Sequence, residues 1–283
     1  MSVKIVVDST ADLLPDIRSR VHVVPLTIHF GEKEYVDGVN IDSRKFYELL
    51  VESDELPTTS QATPFAFAEV FKKATADGSD VVCITCAASL SGTYQSAVIA
   101  AEEFEGRVCV VDSRTIAIGS AILTEYALDL AGQGLSAREI VWKLQQKREK
   151  IRLLAMLDTL EYLKKGGRIS ATVAFAGGLL NIKPVVTIDG GEIKLLGKAR
   201  GSRQANNLLV QEIQKAGGVD FAKPVLLGYT GLSDALLQKY IADSAGLWEG
   251  NCDVLRSTVV GSVVGTHAGP GAVAVAFFAK DET

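Results

Sequence analysis

The chain has 283 residues, of which 47% are hydrophobic and 22% charged, with seven prolines. Its 29 Lys and Arg against 34 Asp and Glu leave a formal charge of −5, and no long basic run appears. A nucleic-acid surface must neutralise many phosphates, so that class of partner is not expected. A chain of this length buries a sizeable core and commonly divides into two domains.

The short apolar run Val3–Val7 passes into Asp8-Ser9-Thr10 without a cleavage site, and every other apolar stretch holds enough Gly, Asp or Lys to stop short of a membrane span. A cytoplasmic protein is expected. Lys4–Val7 reads as a strand, followed by an Asp-Ser-Thr-Ala-Asp turn and a short helix to about Arg20. Val21–Ile28 reads as a second strand, and Lys33–Val36 as a hairpin arm returning along Ile28–Phe30. Ser43–Val51 is helical, opened by Asp42 or Ser43. A hydroxyl-rich loop, Pro57-Thr58-Thr59-Ser60-Gln61, then precedes a helix from Pro64, whose apolar face is Phe67, Val70, Phe71 and Ala74.

Val81–Thr85 is a nearly unbroken apolar strand, as in parallel sheets covered on both faces. It leads into Ser89-Leu90-Ser91-Gly92-Thr93 and a helix to about Phe104. Strand Arg107–Val111 and helices Ile118–Leu130 and Ala137–Lys147 complete a doubly wound α/β pattern, whose ligands sit at the carboxyl ends of strands. Asp8, Ser91 and Asp112 fall at such ends.

The second half begins near Arg152. It reads strand Leu153–Leu157, helix Thr159–Lys164, a Gly-Gly-Arg turn and helix Thr172–Leu180. Strands Pro184–Ile188 and Glu192–Leu196 flank Asp189-Gly190-Gly191, a strong hairpin signal. Helix Ser202–Ala216, strand Pro224–Tyr229, helix Ser233–Ser244 and strands Cys252–Ser257 and Ala272–Phe278 follow. The expectation is an α/β protein: a doubly wound parallel-sheet domain over 1–151, a smaller mixed α+β domain over 152–283, and the ligand between them.

Three polar clusters carry the chemistry. Four hydroxyls lie between Thr58 and Thr63, where one helix cap needs only one. Ser91-Gly92-Thr93 sits on a strand-to-helix turn, where glycine permits close backbone approach and the helix start favours an anion. Gly265-Thr266-His267-Ala268-Gly269-Pro270-Gly271 offers a histidine in a tight turn, able to donate to a carboxylate or phosphate. His22 and His29 read as packing or solvent-facing residues. Lys164-Lys165-Gly166-Gly167-Arg168 ends a helix, where basic residues suit the dipole. Arg168, and Arg200 beside a second glycine turn, are equally suited to an anion or an acidic partner protein.

Other chemistries lack their residues. No Gly-rich loop ends in Gly-Lys-Ser/Thr, and a nucleophile elbow centred on Ser91 has Ser89 and Thr93 where it needs glycines. Cys83 and Cys86 have a redox or zinc spacing, but positions i and i+3 of a strand point to opposite faces, so buried structural thiols are expected. Asp8 is expected to accept hydrogen bonds from loop amides.

Taken in order, Asp8-Ser9-Thr10-Ala11-Asp12, Pro57-Thr58-Thr59-Ser60-Gln61, Leu90-Ser91-Gly92-Thr93-Tyr94-Gln95-Ser96, Val111-Asp112-Ser113, Leu163 to Ser170, Ile182-Lys183-Pro184-Val185 and His267 to Gly271 resemble the DegV family of bacterial fatty-acid-binding proteins. The resemblance spans Val3 to about Lys280. It implies a non-catalytic carrier, without cofactor or metal, that holds one long-chain fatty acid between two domains. It assigns the carboxylate to Ser60 and Ser91, with His267 near the head group; the loop chemistry adds Thr59 and Gly92 to the candidate carboxylate site. The resemblance also implies a partner, a fatty acid kinase with a dihydroxyacetone-kinase-like domain that makes the acyl phosphate; separately, the glycine-flanked turns that carry Arg168 and Arg200 make these two the candidate contacts with that kinase or with phosphate. A monomer is expected. Phe65, Phe67, Phe175, Leu179, Leu180 and Ile182 are the apolar candidates for the tunnel. Two other functions follow from the residues alone: a serine-dependent acyl hydrolase using Ser91 and His267, and a phosphate or sugar-phosphate binding module.

Overall fold

The structure, a computed structural model, describes residues 2–53, 55–170, 181–252 and 254–281. The helix expected over Thr172–Leu180, with the tunnel candidates Phe175, Leu179 and Leu180, lies outside the described residues.

The first half runs β1 (Val3–Asp8), α1 (Pro15–Arg18), β2 (His22–Val24), β3 (Thr27–Phe30), β4 (Lys33–Val36), α2 (Ser43–Glu52), β5 (Thr58–Ser60), α3 (Pro64–Thr75), β6 (Asp80–Thr85), α4 (Thr93–Ala101), β7 (Val108–Asp112), α5 (Ala117–Gly132) and α6 (Ala137–Lys147). Strands β2-β1-β6-β7 form a parallel sheet in that order, and β4-β3-β5 form a small antiparallel sheet beside it. The apolar run Val81–Ile84 is buried throughout, because helices cover both faces of the parallel sheet.

Two expectations change here. The single strand Val21–Ile28 is two strands, His22–Val24 and Thr27–Phe30, interrupted at Pro25, which has no N–H to give a ladder. The loop Thr58–Ser60 is itself a short strand, paired antiparallel with β3 so that Ile28 faces Thr59 and Thr27 faces Ser60.

The second half runs β8 (Ile151–Met156), α7 (Glu161–Lys165), β9 (Ile182–Asp189), β10 (Glu192–Arg200), α8 (Gly201–Lys215), β11 (Leu226–Tyr229), α9 (Ala235–Asp243), α10 (Ala245–Trp248), β12 (Ser257–Val259), α11 (Ser262–Ala268) and β13 (Val273–Phe278). They build a mixed sheet in the order β10-β9-β8-β13-β11-β12, in which only β11 and β12 are parallel. The β9–β10 hairpin turns on Gly190 and Gly191, at φ of 62° and 90°, the backbone that a two-residue hairpin turn requires. The strand expected over Cys252–Ser257 instead occupies Ser257–Val259, where Leu227, Gly228 and Tyr229 provide its parallel partners.

Helix α5 explains how the parallel sheet and the six-stranded mixed sheet, the second of the two large sheets, become one body. It is apolar nearly all round, and such a helix must be covered on every side. Ile118 and Ile122 share one core with Ile5 and Val7 of β1 and with Leu226, Ala274 and Ala276 of the second sheet. Each such side chain taken out of water contributes about 1.5–3 kcal/mol. No described helix is long and apolar enough to cross a membrane.

Candidate functional site

A cavity with about 1010 Å³ of empty space, its open mouth included, lies beside the start of α5. Its wall is apolar. The second sheet contributes Leu153, Ala155, Val186, Ile188 and Ala274, and the approach to α5 contributes Ile116 and Ala117. The polar side chains on its border include Thr59, Ser60, Gln61, Ser91, Arg168 and His267, so three separate expected clusters meet in one place.

The hydroxyls of the first cluster have different tasks. Thr63 caps α3 by accepting from the Ala66 N–H at 3.2 Å, which leaves Thr58, Thr59 and Ser60 without a capping role. Successive residues of a strand face opposite ways. Thr59 shares a 2.9 Å hydrogen bond with His267 Nε2. Ser60 shares one of 2.9 Å with His29 Nε2. His29, read from sequence as a packing or solvent-facing residue, is therefore a neighbour of the site through β3. The next residue, Gln61, donates from Nε2 to Ser96 Oγ at 3.1 Å, across to α4.

His267 lies in the last turn of α11, a helix that sequence reading took for a glycine-rich turn. Its Nδ1 is buried without a hydrogen-bond partner among the described residues. A β-carbon on Gly166 would stand 2.1 Å from that nitrogen, so the imidazole packs directly on the backbone after α7. The two glycines of Lys-Lys-Gly-Gly-Arg thus serve separate purposes: Gly166 makes room for His267, and Gly167 takes the left-handed turn at φ 71°. Burial, helped by the charge of Arg168, pushes the His267 pKa down to about 4. The ring is neutral at pH 7 and offers one donor and one acceptor.

Ser91 shares a 2.8 Å hydrogen bond with Thr93 Oγ1 and accepts from the Thr93 N–H at 3.3 Å. Gly92 precedes α4, and a β-carbon there would stand 2.0 Å from Gln61 Oε1. Glycine is what lets the first two clusters touch. The hydrolase reading needs His267 on Ser91. Here the imidazole bonds Thr59 instead, and among the described residues no acidic side chain takes its Nδ1.

The two arginines part company. Arg168 borders the cavity and donates from Nε to the Leu90 carbonyl at 3.2 Å and from Nη1 to that of Gly166 at 2.6 Å, joining the Ser91 loop to the His267 support. Arg200 is exposed at the end of β10 and outside the cavity lining. Among the tunnel candidates that are described, none lines the cavity. Phe65 is 75% exposed, Phe67 is fully buried against Phe71 in a core shared with Phe46 and Cys83, and Ile182 is half-buried at the start of β9. Position explains the first two: two residues on a helix are about 200° apart, so Phe65 and Phe67 cannot share a face.

Cys83 and Cys86 are free buried thiols, with Cys83 in the Phe67 core and Cys86 on the cavity border. Burial pushes both above the usual thiol range. Among the described residues, no three His, Cys, Asp or Glu side chains gather as metal ligands.

Fold and site together define an α/β protein of three sheets with an apolar cavity bordered by hydroxyls and one neutral histidine. The model of the DegV family, a family described as uncharacterised, matches residues 2–280, and the chain belongs to that family. It is 36% identical over 283 residues to a DegV domain-containing protein of Caldanaerobacter subterraneus subsp. tengcongensis, covering 98% of this chain and 99% of that one. A DegV family protein from Thermus thermophilus, described for its fatty acid binding, superposes with a TM-score of 0.86 at 31% identity, over 98% of this chain and 100% of that one. The fatty acid kinase B3 protein of Streptococcus pneumoniae, loaded with linoleic acid, superposes with a TM-score of 0.85 at 26% identity, over 99% and 100%.

Proposed function

We propose that the cavity holds one long-chain fatty acid, with its tail against the second sheet and its carboxylate at Thr59, Ser60, Ser91 and His267, Gly92 allowing the close approach. The observation that carries this reading is an apolar cavity whose border gathers neutral hydrogen-bonding groups from three distant segments. Each buried methylene contributes roughly 0.8 kcal/mol, so a sixteen-carbon tail gains on the order of 12 kcal/mol before ordering costs. The tail supplies affinity; the hydroxyls place the head group. A sugar phosphate would leave most of this apolar wall without a partner.

In this reading the protein acts without catalysis of its own, as a monomeric cytoplasmic carrier divided near 151/152. It presents the carboxylate to a separate kinase with a dihydroxyacetone-kinase-like domain, which makes the acyl phosphate from ATP. The likeness to a fatty acid kinase B3 protein supports that partner. Arg168, at the cavity border, and Arg200, on the surface, are the proposed contacts with the kinase or the new phosphate, because a guanidinium fork suits phosphate oxygens.

Native mass spectrometry of protein purified without detergent tests the first step. The expected result is a mass increment of one fatty acid; repeated absence of lipid, with no uptake of added oleate, overturns it. For the second step, Arg168→Ala is expected to leave oleate titration nearly intact while lowering acyl-phosphate formation with the partner kinase and ATP. Lost oleate binding with normal turnover at saturating lipid moves Arg168 to the head group.

A further inference from the structure

The Asp8-Ser9-Thr10-Ala11-Asp12 segment holds none of the groups assigned to the carboxylate, yet Asp8, Ser9, Thr10 and Asp12 are all buried polar residues. Burying so many polar groups is costly unless each is satisfied, so their partners show what the segment holds in place. Asp8 Oδ1 accepts from the Thr10 N–H at 2.9 Å and its hydroxyl at 2.5 Å. Asp8 Oδ2 reaches outward and accepts from the Cys86 N–H at 2.7 Å. Ser9 Oγ accepts from the Leu26 N–H at 3.0 Å. Asp12 Oδ1 accepts from the Gly261 N–H at 2.7 Å.

Each outward bond ends just before a segment that carries one part of the head-group site. Cys86 opens the turn to Ser91, with the Ala87 carbonyl accepting from the Leu90 and Ser91 N–H groups. Leu26 immediately precedes β3, which brings His29 and, through its pairing with β5, Thr59 and Ser60. Gly261 is the residue before α11, whose last turn carries His267. A fourth bond, from the Asp12 N–H to the Ala117 carbonyl at 3.4 Å, ties the same segment to the start of α5.

We infer that Asp12, with Asp8 and Ser9, is a positioning residue that sets the mutual spacing of the Ser91, Thr59–Ser60 and His267 segments, and so governs recognition of the carboxylate rather than of the tail. This rests on the fatty-acid reading above. The Asp12 contact is the most exposed to test, because it joins the first loop directly to the residue that opens α11. Its Oδ2 is buried with no partner among the described residues, and a β-carbon on Gly261 would come to 2.9 Å of Oδ1. Burial, with the nearby Asp37 and Asp8 carboxyls adding to it, pushes the Asp12 carboxyl well above the usual range. An amide has the shape of a carboxyl and keeps an acceptor oxygen, so Asp12→Asn retains the acceptor for Gly261.

Titrations of the full chain with oleate and with oleyl alcohol, by displacement of a fluorescent fatty acid, separate head-group from tail effects. Asp12→Ala is expected to weaken oleate about tenfold or more while oleyl alcohol changes by less than about threefold. Asp12→Asn is expected to stay within about threefold of wild type for both ligands. Gly261→Ala disturbs the same contact from the helix side and is expected to repeat the selective loss, which decides the matter if Asp12→Ala does not fold. Equal losses for acid and alcohol, or unchanged oleate affinity in both Asp12→Ala and Gly261→Ala, overturn the positioning role. Wild-type protein that binds neither ligand overturns the fatty-acid reading itself and the positioning role with it.

Discussion

The wall of the cavity and its border follow different rules. The wall comes mostly from regular structure, the second sheet and α5, and is made of aliphatic side chains whose contribution scales with area. The border comes from a three-residue strand, a strand-to-helix turn and the last turn of a seven-residue helix, and each group there depends on a specific partner. Changes in the wall should therefore alter how much ligand surface is buried, whatever the head group. Changes at the border should alter which head group is accepted, whatever the tail.

The largest expected effect comes from filling the wall. Ala155, half-buried on β8, lines the cavity, and Ala155→Trp is expected to displace about four methylenes, roughly 3 kcal/mol or about a hundredfold in oleate affinity. Oleyl alcohol should lose as much, and a thermal melt of the lipid-free variant should show the fold retained. At the border, Ser91→Ala removes a donor to a charged group, about 1.5–3 kcal/mol, or ten- to hundredfold for oleate with little change for the alcohol. Ser60→Ala should act in the same direction. If both variants bind oleate as the wild type does, the head group lies elsewhere.

His267 gives a pH signature without ligand. In the folded protein its pKa is about 4, against an ordinary value of 6.5. Between those values the unfolded chain takes up a proton that the folded one refuses, so His267 makes the protein lose stability as pH falls from about 6.5 towards 4. Lipid-free His267→Gln should lose about 1–3 kcal/mol less over that window in denaturant melts. Parallel curves for the two proteins would mean that the imidazole is not held neutral. The smallest effect is expected from Arg200→Ala: exposed and away from the lining, it should change oleate affinity by less than about twofold.

Much of the fold was legible because its signals are local. The Asp189-Gly190-Gly191 turn, the unbroken apolar run of β6 and the cap of α2, read as Asp42 or Ser43 and found at Asp42, each depend on a few neighbouring residues. The family motifs likewise pointed to Thr59, Ser91 and His267, which the fold brings to one cavity. What escaped was set by distant partners. Strand β5 is too short to show a period and exists because β3 pairs with it. For the same reason His29 gave no sign of reaching Ser60, although the alternation along β3 puts it on the same side once the register is known. Helix α11 was hidden by Gly265, a poor helix former that is needed where a β-carbon would meet Tyr47 Oη at 2.6 Å. The wall escaped as well. Phe65 and Phe67 are large and adjacent to the motif, but one points outward and the other into a separate core, while smaller residues of the second sheet line the cavity.

A crystal structure of the protein saturated with oleate tests the central claim most directly. The account predicts the carboxylate within hydrogen-bond distance of Ser91 Oγ, beside Thr59 and His267, with the tail running along Leu153, Val186 and Ile116. A carboxylate placed away from Ser91 and Thr59, or a cavity without lipid at saturating oleate, would contradict it.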